Sequence, residues 1–134
     1  MALFIVDTNV MSAIMRGDQE AEQRLLQQPR NAVYLAQPVI AEISFGLARL
    51  PRSRRKTDLV RRFDLLASVL PRAEWTDETS QSFGSTKADL EQRGQRLDDF
   101  DIAIAAHALA LGAAVATRNV QHFSRIRGLE VATW

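Results

Sequence analysis

The chain has 134 residues, 46% of them hydrophobic and 25% charged, with a net charge of +1; these are the proportions of one globular domain, residues 1–134, with its own core. There is no cysteine and only two histidines, His107 and His122, which excludes disulfide frameworks, thiolate chemistry and cysteine-based zinc sites. No apolar run approaches the roughly 20 residues of a membrane span, and Met1–Phe4 lacks the basic region and apolar stretch of a signal peptide, so the expectation is a cytoplasmic protein that does not enter membranes.

Leu3-Phe4-Ile5-Val6 reads as a short buried strand that runs directly into Asp7. A carboxylate at that place either caps the following helix or serves a site at the carboxyl edge of a parallel sheet. Val10, Met11, Ile14 and Met15 then recur at helical spacing until Gly17. Asp18 is placed to start a second helix with Glu20 and Glu22 in its first turn, ending at Pro29. Val33–Ala36 reads as the second strand, and Gln37-Pro38 opens a helix with the stripe Ile40, Ile43, Leu47 and Leu50. Glu42 sits in an apolar turn of that helix, and Gly46 in its middle predicts close packing against a neighbour.

Past Pro51, residues 53–70 predict a helix with Leu59, Phe63, Leu66 and Leu70 inward. The stretch 49–62 holds Arg49, Arg52, Arg54, Arg55, Lys56, Arg61 and Arg62 against one acid, Asp58. Such a cluster suits nucleic-acid phosphates, an acidic partner segment, or simply a solvated helix end. A short strand at Ala73–Trp75 precedes a polar, peripheral helix that Thr76 or Asp77 caps and Gly94 ends, with a thin apolar face of Phe83, Ala88 and Leu90. Asp98-Asp99 caps the next helix, which is apolar nearly all round from Phe100 to Leu111 and therefore buried, with Gly112 past its end. A strand at 113–117, a turn or short helix at 119–123 and a strand at Leu129–Val131 complete the chain. Short apolar strands alternating with helices imply an α/β fold, its mainly parallel sheet covered on both faces.

Asp7, Glu42 and Asp101 stand out as acids in apolar surroundings. Converging carboxylates repel one another unless a cation neutralises them, and without cysteine or a histidine set the fitting ions are Mg²⁺ or Mn²⁺. That chemistry suits phosphodiester hydrolysis. A phosphatase with Asp7 as nucleophile is less well served, because the second carboxylate such enzymes need two residues on is here Asn9. A non-catalytic partner-binding module with a degenerate acidic pocket is the alternative from another class.

Taken together, Asp7-Thr8-Asn9, Ala41-Glu42-Ile43-Ser44-Phe45-Gly46, Asp101-Ile102-Ala103-Ile104-Ala105-Ala106-His107-Ala108 and Thr117-Arg118-Asn119-Val120-Gln121-His122-Phe123, with the final Gly128-Leu129 and Trp134, resemble a PIN domain of the VapC/FitB toxin type. The resemblance covers the whole chain. It implies a three-layer PIN-like fold with a short sheet of four to five strands. It implies a metal-dependent endoribonuclease, the toxin of a type II toxin–antitoxin pair, acting as a homodimer, neutralised by a VapB-like antitoxin and cutting RNA, with transfer RNA among the candidates. Carried over by position, Asp7, Asp101 and Glu42 become metal ligands. Asn119 falls at the fourth, usually acidic, position, and Thr8 becomes a candidate substrate contact; apart from the resemblance, Arg118, beside Asn119, is placed to hold a phosphate. His122 receives no role, and His107 is read as a satisfied core or interface histidine.

Overall fold

A computed structural model describes all residues from Met1 to Trp134. Five strands form one sheet in the order β3-β2-β1-β4-β5: β1 (Phe4–Val6), β2 (Val33–Ala36), β3 (Arg72–Ala73), β4 (Ala114–Thr117) and β5 (Val131–Thr133). Every pairing is parallel, so the expected mainly parallel sheet is wholly parallel. Seven helices cover it: α1 (Thr8–Met15), α2 (Gln19–Leu26), α3 (Gln37–Ala48), α4 (Arg54–Val69), α5 (Asp77–Gln92), α6 (Asp99–Leu111) and α7 (Val120–Phe123).

The three central strands, β1, β2 and β4, are covered on both faces, while the edge strands β3 and β5 are partly exposed. Ile5, Val6, Leu35, Val115 and Ala116 are fully inaccessible, and together with Val10, Met11, Ile102 and Ile104 they belong to one cluster of 26 buried residues. Burying such a side chain contributes about 1.5–3 kcal/mol, and a strand of three residues is held in place chiefly by this. α6 is the helix the sequence describes: Ile102 to Ala108 is buried without interruption, and Gly112 closes it at φ 72°.

Chain direction sets the position of the site. Parallel strands all end at one edge, and α1 and α3 start there, directly after β1 and β2. α6 leads into β4 and so runs back against the strands, which brings its first turn to the same edge. The order of the strands reverses at β1, and the crevice between β1 and β4 is therefore the topological switch point, the place where open α/β sheets bind ligands.

Four local expectations are corrected. β5 lies at Val131–Thr133 instead of 129–131, because Gly128 turns at φ 80° and Val131 is the residue paired with Val115. Gly46 is not tightly packed: a β-carbon there would meet nothing within 4 Å. Ala88 is exposed, and the inner face of α5 is instead Thr79, Phe83, Thr86 and Leu90 at 4-3-4 spacing, packed on α6. Threonine can line that contact because its methyl packs while its hydroxyl bonds locally, as Thr79 does with the Thr76 N–H at 3.2 Å. His107 is buried as expected, but neither ring nitrogen has a hydrogen-bond partner. Its ring sits edge-on to Trp75 at 5.1 Å.

Candidate active site

Asp7 is 4% exposed at the end of β1, and both readings of it hold at once. Its Oδ1 accepts from the Val10 N–H at 2.8 Å, capping α1. Its Oδ2 accepts from the Thr117 hydroxyl. The register explains the second contact: Val6 pairs with Ala116, so the next residues, Asp7 and Thr117, meet across the switch point. The Thr117 hydroxyl also accepts from the Asn119 N–H at 2.8 Å, which fixes its own direction. Burial pushes the Asp7 carboxyl above the ordinary carboxylate range, against the Thr117 and Val10 hydrogen bonds, and the charge of Glu42 adds to the rise.

Thr8 does not cap α1, since Asp7 does. Its hydroxyl donates to Glu42 Oε1, joining the first turn of α1 to α3 across 34 residues of sequence. Glu42 reaches the site because α3 begins where β2 ends, with Pro38 in its opening turn.

Asp101 lies in the first turn of α6, where the helix dipole favours a carboxylate. Burial nevertheless raises it to about 6, with further contributions from the charges of Glu42, Asp98 and Asp7, while His122 acts in the opposite sense. Asp98 is the α6 cap, accepting from the Phe100 N–H at 2.8 Å. Asp7, Glu42 and Asp101 thus feel one another's charge. They are not drawn into a closed set: no group of three His, Cys, Asp or Glu is arranged to hold a metal ion. Thr8 occupies an oxygen of Glu42, and Val10 and Thr117 occupy those of Asp7. The donor chemistry still fits a hard divalent cation, being all oxygen, anionic and partly desolvated.

The remaining candidates divide. Asn119 stands beside this edge, where its side-chain amide contacts His122 Nδ1 at 2.6 Å. Arg118 is committed elsewhere. Its guanidinium grips both oxygens of Asp18 at 2.8 and 3.0 Å and its Nε donates to the Trp134 carbonyl at 2.7 Å, which makes it a clamp between α2 and the last residue. Two residues at the site went unassigned by sequence reasoning, Thr117 and His122. The signal for Thr117 was available, because it ends the strand beside β1 just as Asp7 ends β1.

The PIN domain family model matches residues 4–129, and the chain belongs to that family. Among relatives it is similar to Ribonuclease VapC2 of Rickettsia felis, 27% identical with 98% of each chain covered. It is also similar to the VapC ribonuclease Y4jK of Sinorhizobium fredii, 30% identical over 96% of this chain and 95% of the relative. In three dimensions it follows the VapBC2 complex of Rickettsia felis bound to a DNA fragment from its promoter, with a TM-score of 0.88, 24% identity and 98% of each chain covered. That likeness confirms the three-layer α/β architecture.

Proposed function

We propose that this protein is a metal-dependent endoribonuclease, the toxin of a type II toxin–antitoxin pair, and that Asp7, Glu42 and Asp101 are the residues that carry its chemistry. The observation behind the reading is the buried Asp7 at the switch point, in electrostatic contact with two further carboxylates from different helices. The curated VapC relatives, matched over nearly their whole length, supply the reaction class.

In this reading Asp7, Asp101 and Glu42 hold Mg²⁺ or Mn²⁺. The bound ion supplies a polarised phosphate oxygen and an activated water for in-line attack at phosphorus. The chain's own residues do the positioning. Val10 and Thr117 fix the two oxygens of Asp7, so the carboxylate loses little freedom on receiving a ligand. Thr8 holds Glu42 toward α1, and its hydroxyl is placed to turn from that carboxylate to a substrate oxygen. Asn119 brings no charge; through its backbone N–H it orients Thr117, and its amide offers a dipole to a water molecule. The carboxylates of Asp7 and Asp101 bear protons more readily than ordinary aspartates, and a divalent cation would displace those protons on binding.

The same reading includes a VapB-like antitoxin, self-association into a homodimer and action in the cytoplasm, where RNA is the substrate. Exposed Leu26, Leu65 and Val69 line a groove of about 810 Å³ between α2 and α4, an apolar surface that supports a protein partner.

Calorimetric titration with Mg²⁺ and Mn²⁺ tests the site without recourse to activity. Wild-type protein should bind the ion and release protons below pH 6, and Asp101→Asn should lose most of that binding. Absence of binding by the wild type would favour the non-catalytic partner-binding module instead.

A further inference from the structure

Two cavities adjoin beside Glu42. One, of about 190 Å³, has Thr8, Glu42 and Gly46 in its wall along with Arg16 and Arg55. The other, of about 550 Å³, is lined by Arg16, Arg54, Arg55 and Arg62, with Asp58 its one acid. Arg16 and Arg55 belong to both, so a continuous trough runs from Glu42 out over the start of α4. The ion pairs of the molecule involve Lys87, Arg93, Arg118 and Arg127; none of the trough's arginines is in one. All four arginines are exposed, and Arg62 is tethered through its Nη1 to the Met15 carbonyl at 3.1 Å.

This arrangement opposes stability. Arg54 and Arg55 occupy the first turn of α4, which contains no acid, and the helix dipole disfavours cations there. Arg54, Arg55, Asp58, Leu59 and Arg62 share one helix face, so the positive charges are held close together. Gly46 supplies the remaining feature, since it leaves open space on the trough floor where any side chain would stand.

We infer that the trough seats the RNA backbone on one side of the scissile phosphate, with Arg16 and Arg55 as phosphate-positioning residues and Gly46 keeping the floor clear. The inference rests on the nuclease reading for the identity of its ligand. A polyanion is the occupant that relieves the repulsion. RNA is favoured over an acidic peptide because one end of the trough opens on Glu42 and Thr8, where a phosphodiester meets hydrolytic groups. The apolar wall of Ile43, Leu47, Leu50 and Leu59 offers a surface for ribose and base.

The test is fluorescence anisotropy of a labelled single-stranded RNA with the full chain in chelator, where no cutting occurs, over a range of KCl concentrations. The variants are Arg16→Gln/Arg55→Gln, Gly46→Met and the exposed control Arg24→Gln. The double variant should weaken binding about tenfold, as the loss of charge-assisted contacts implies. It should also lower the slope of log Kd against log salt by about 1.4, some 0.7 for each lost contact to a single strand. Gly46→Met should weaken binding although its melting temperature is equal to or above the wild type's, since a mid-helix glycine costs about 1 kcal/mol, and Arg24→Gln should bind like the wild type. A double variant with the affinity and salt slope of Arg24→Gln overturns the inference. So does one that keeps its RNA affinity while losing affinity for polyglutamate, since the trough would then serve an acidic protein segment. If the wild type binds RNA through these arginines yet never cuts it with Mg²⁺ or Mn²⁺, the trough stands and the nuclease reading falls.

Discussion

Asp7 shows how one side chain meets a structural and a chemical demand together. A carboxylate has two oxygens, and here one caps α1 while the other faces the switch point and is held by Thr117. Burial outweighs the compensating contacts at Asp7, Asp101 and His107, and the two aspartates pull the pH dependence of stability in the direction opposite to the histidine. Asp101 is raised to about 6 from 3.8, so between pH 4 and 6 the folded state binds more protons than the unfolded state. Its stabilising contribution is complete below pH 4 and lost as pH rises through 6. His107 is lowered by burial, so its contribution is present above 6.5 and lost as pH falls below that value. In chelator, Asp101→Asn should therefore be more stable than wild type at pH 7.5, by about 1–2 kcal/mol once solvent screening is allowed for. His107→Leu should flatten the loss below pH 6.5 that wild type shows. Thermal melts from pH 4 to 8 measure both; an Asp101→Asn variant less stable than wild type at pH 7.5 would contradict the account.

At the scale of elements, periodicity and punctuation found every helix and strand, though β3 lies at Arg72–Ala73 instead of 73–75 and β5 two residues later than expected. Asp18, Pro38 and Gly112 act where local chemistry places them: Asp18 caps α2 through the Ala21 N–H at 3.1 Å, and Gly112 takes the left-handed conformation. What escaped local reading was settled by tertiary contact. Gly46 suggested tight packing because a mid-helix glycine carries a cost, yet the structure shows open space, and the cost is carried by a groove. Arg118 suggested a phosphate contact because it neighbours Asn119. Its ion pair with Asp18 spans 100 residues of sequence, and no local pattern encodes such a partner. The clamp predicts a stability phenotype. Arg118→Gln should lower the melting temperature and speed amide exchange in β5, whose end it holds through Trp134, itself packed on Phe4 at 5.3 Å. Unchanged exchange across Val131–Thr133 would show that β5 is held by its pairing with β4 alone.

For the whole molecule, the alternation of short apolar strands with helices was enough to fix the class of fold, since parallel strands need crossover helices and burial on both faces. It did not give the strand order, and so it could not say that Asp7 and Thr117 face each other. The convergence of Asp7, Glu42 and Asp101 was legible because three acids in apolar segments are costly unless something unites them. That Thr8 bonds Glu42 and Thr117 bonds Asp7 is decided by side-chain contacts between distant segments, which no local pattern encodes.

If these carboxylates cleave RNA with a divalent cation, Asp7→Asn is the decisive variant. Asparagine caps helices as well as aspartate does, so the variant should fold and melt near the wild type while losing the charge the chemistry needs. With Mg²⁺ or Mn²⁺ and a total RNA substrate, wild-type protein should release cleaved fragments that chelator abolishes. Asp7→Asn should cut at least about a hundredfold more slowly, the scale of loss when one catalytic electrostatic group is removed. Cleavage by folded Asp7→Asn at the wild-type rate would contradict the account.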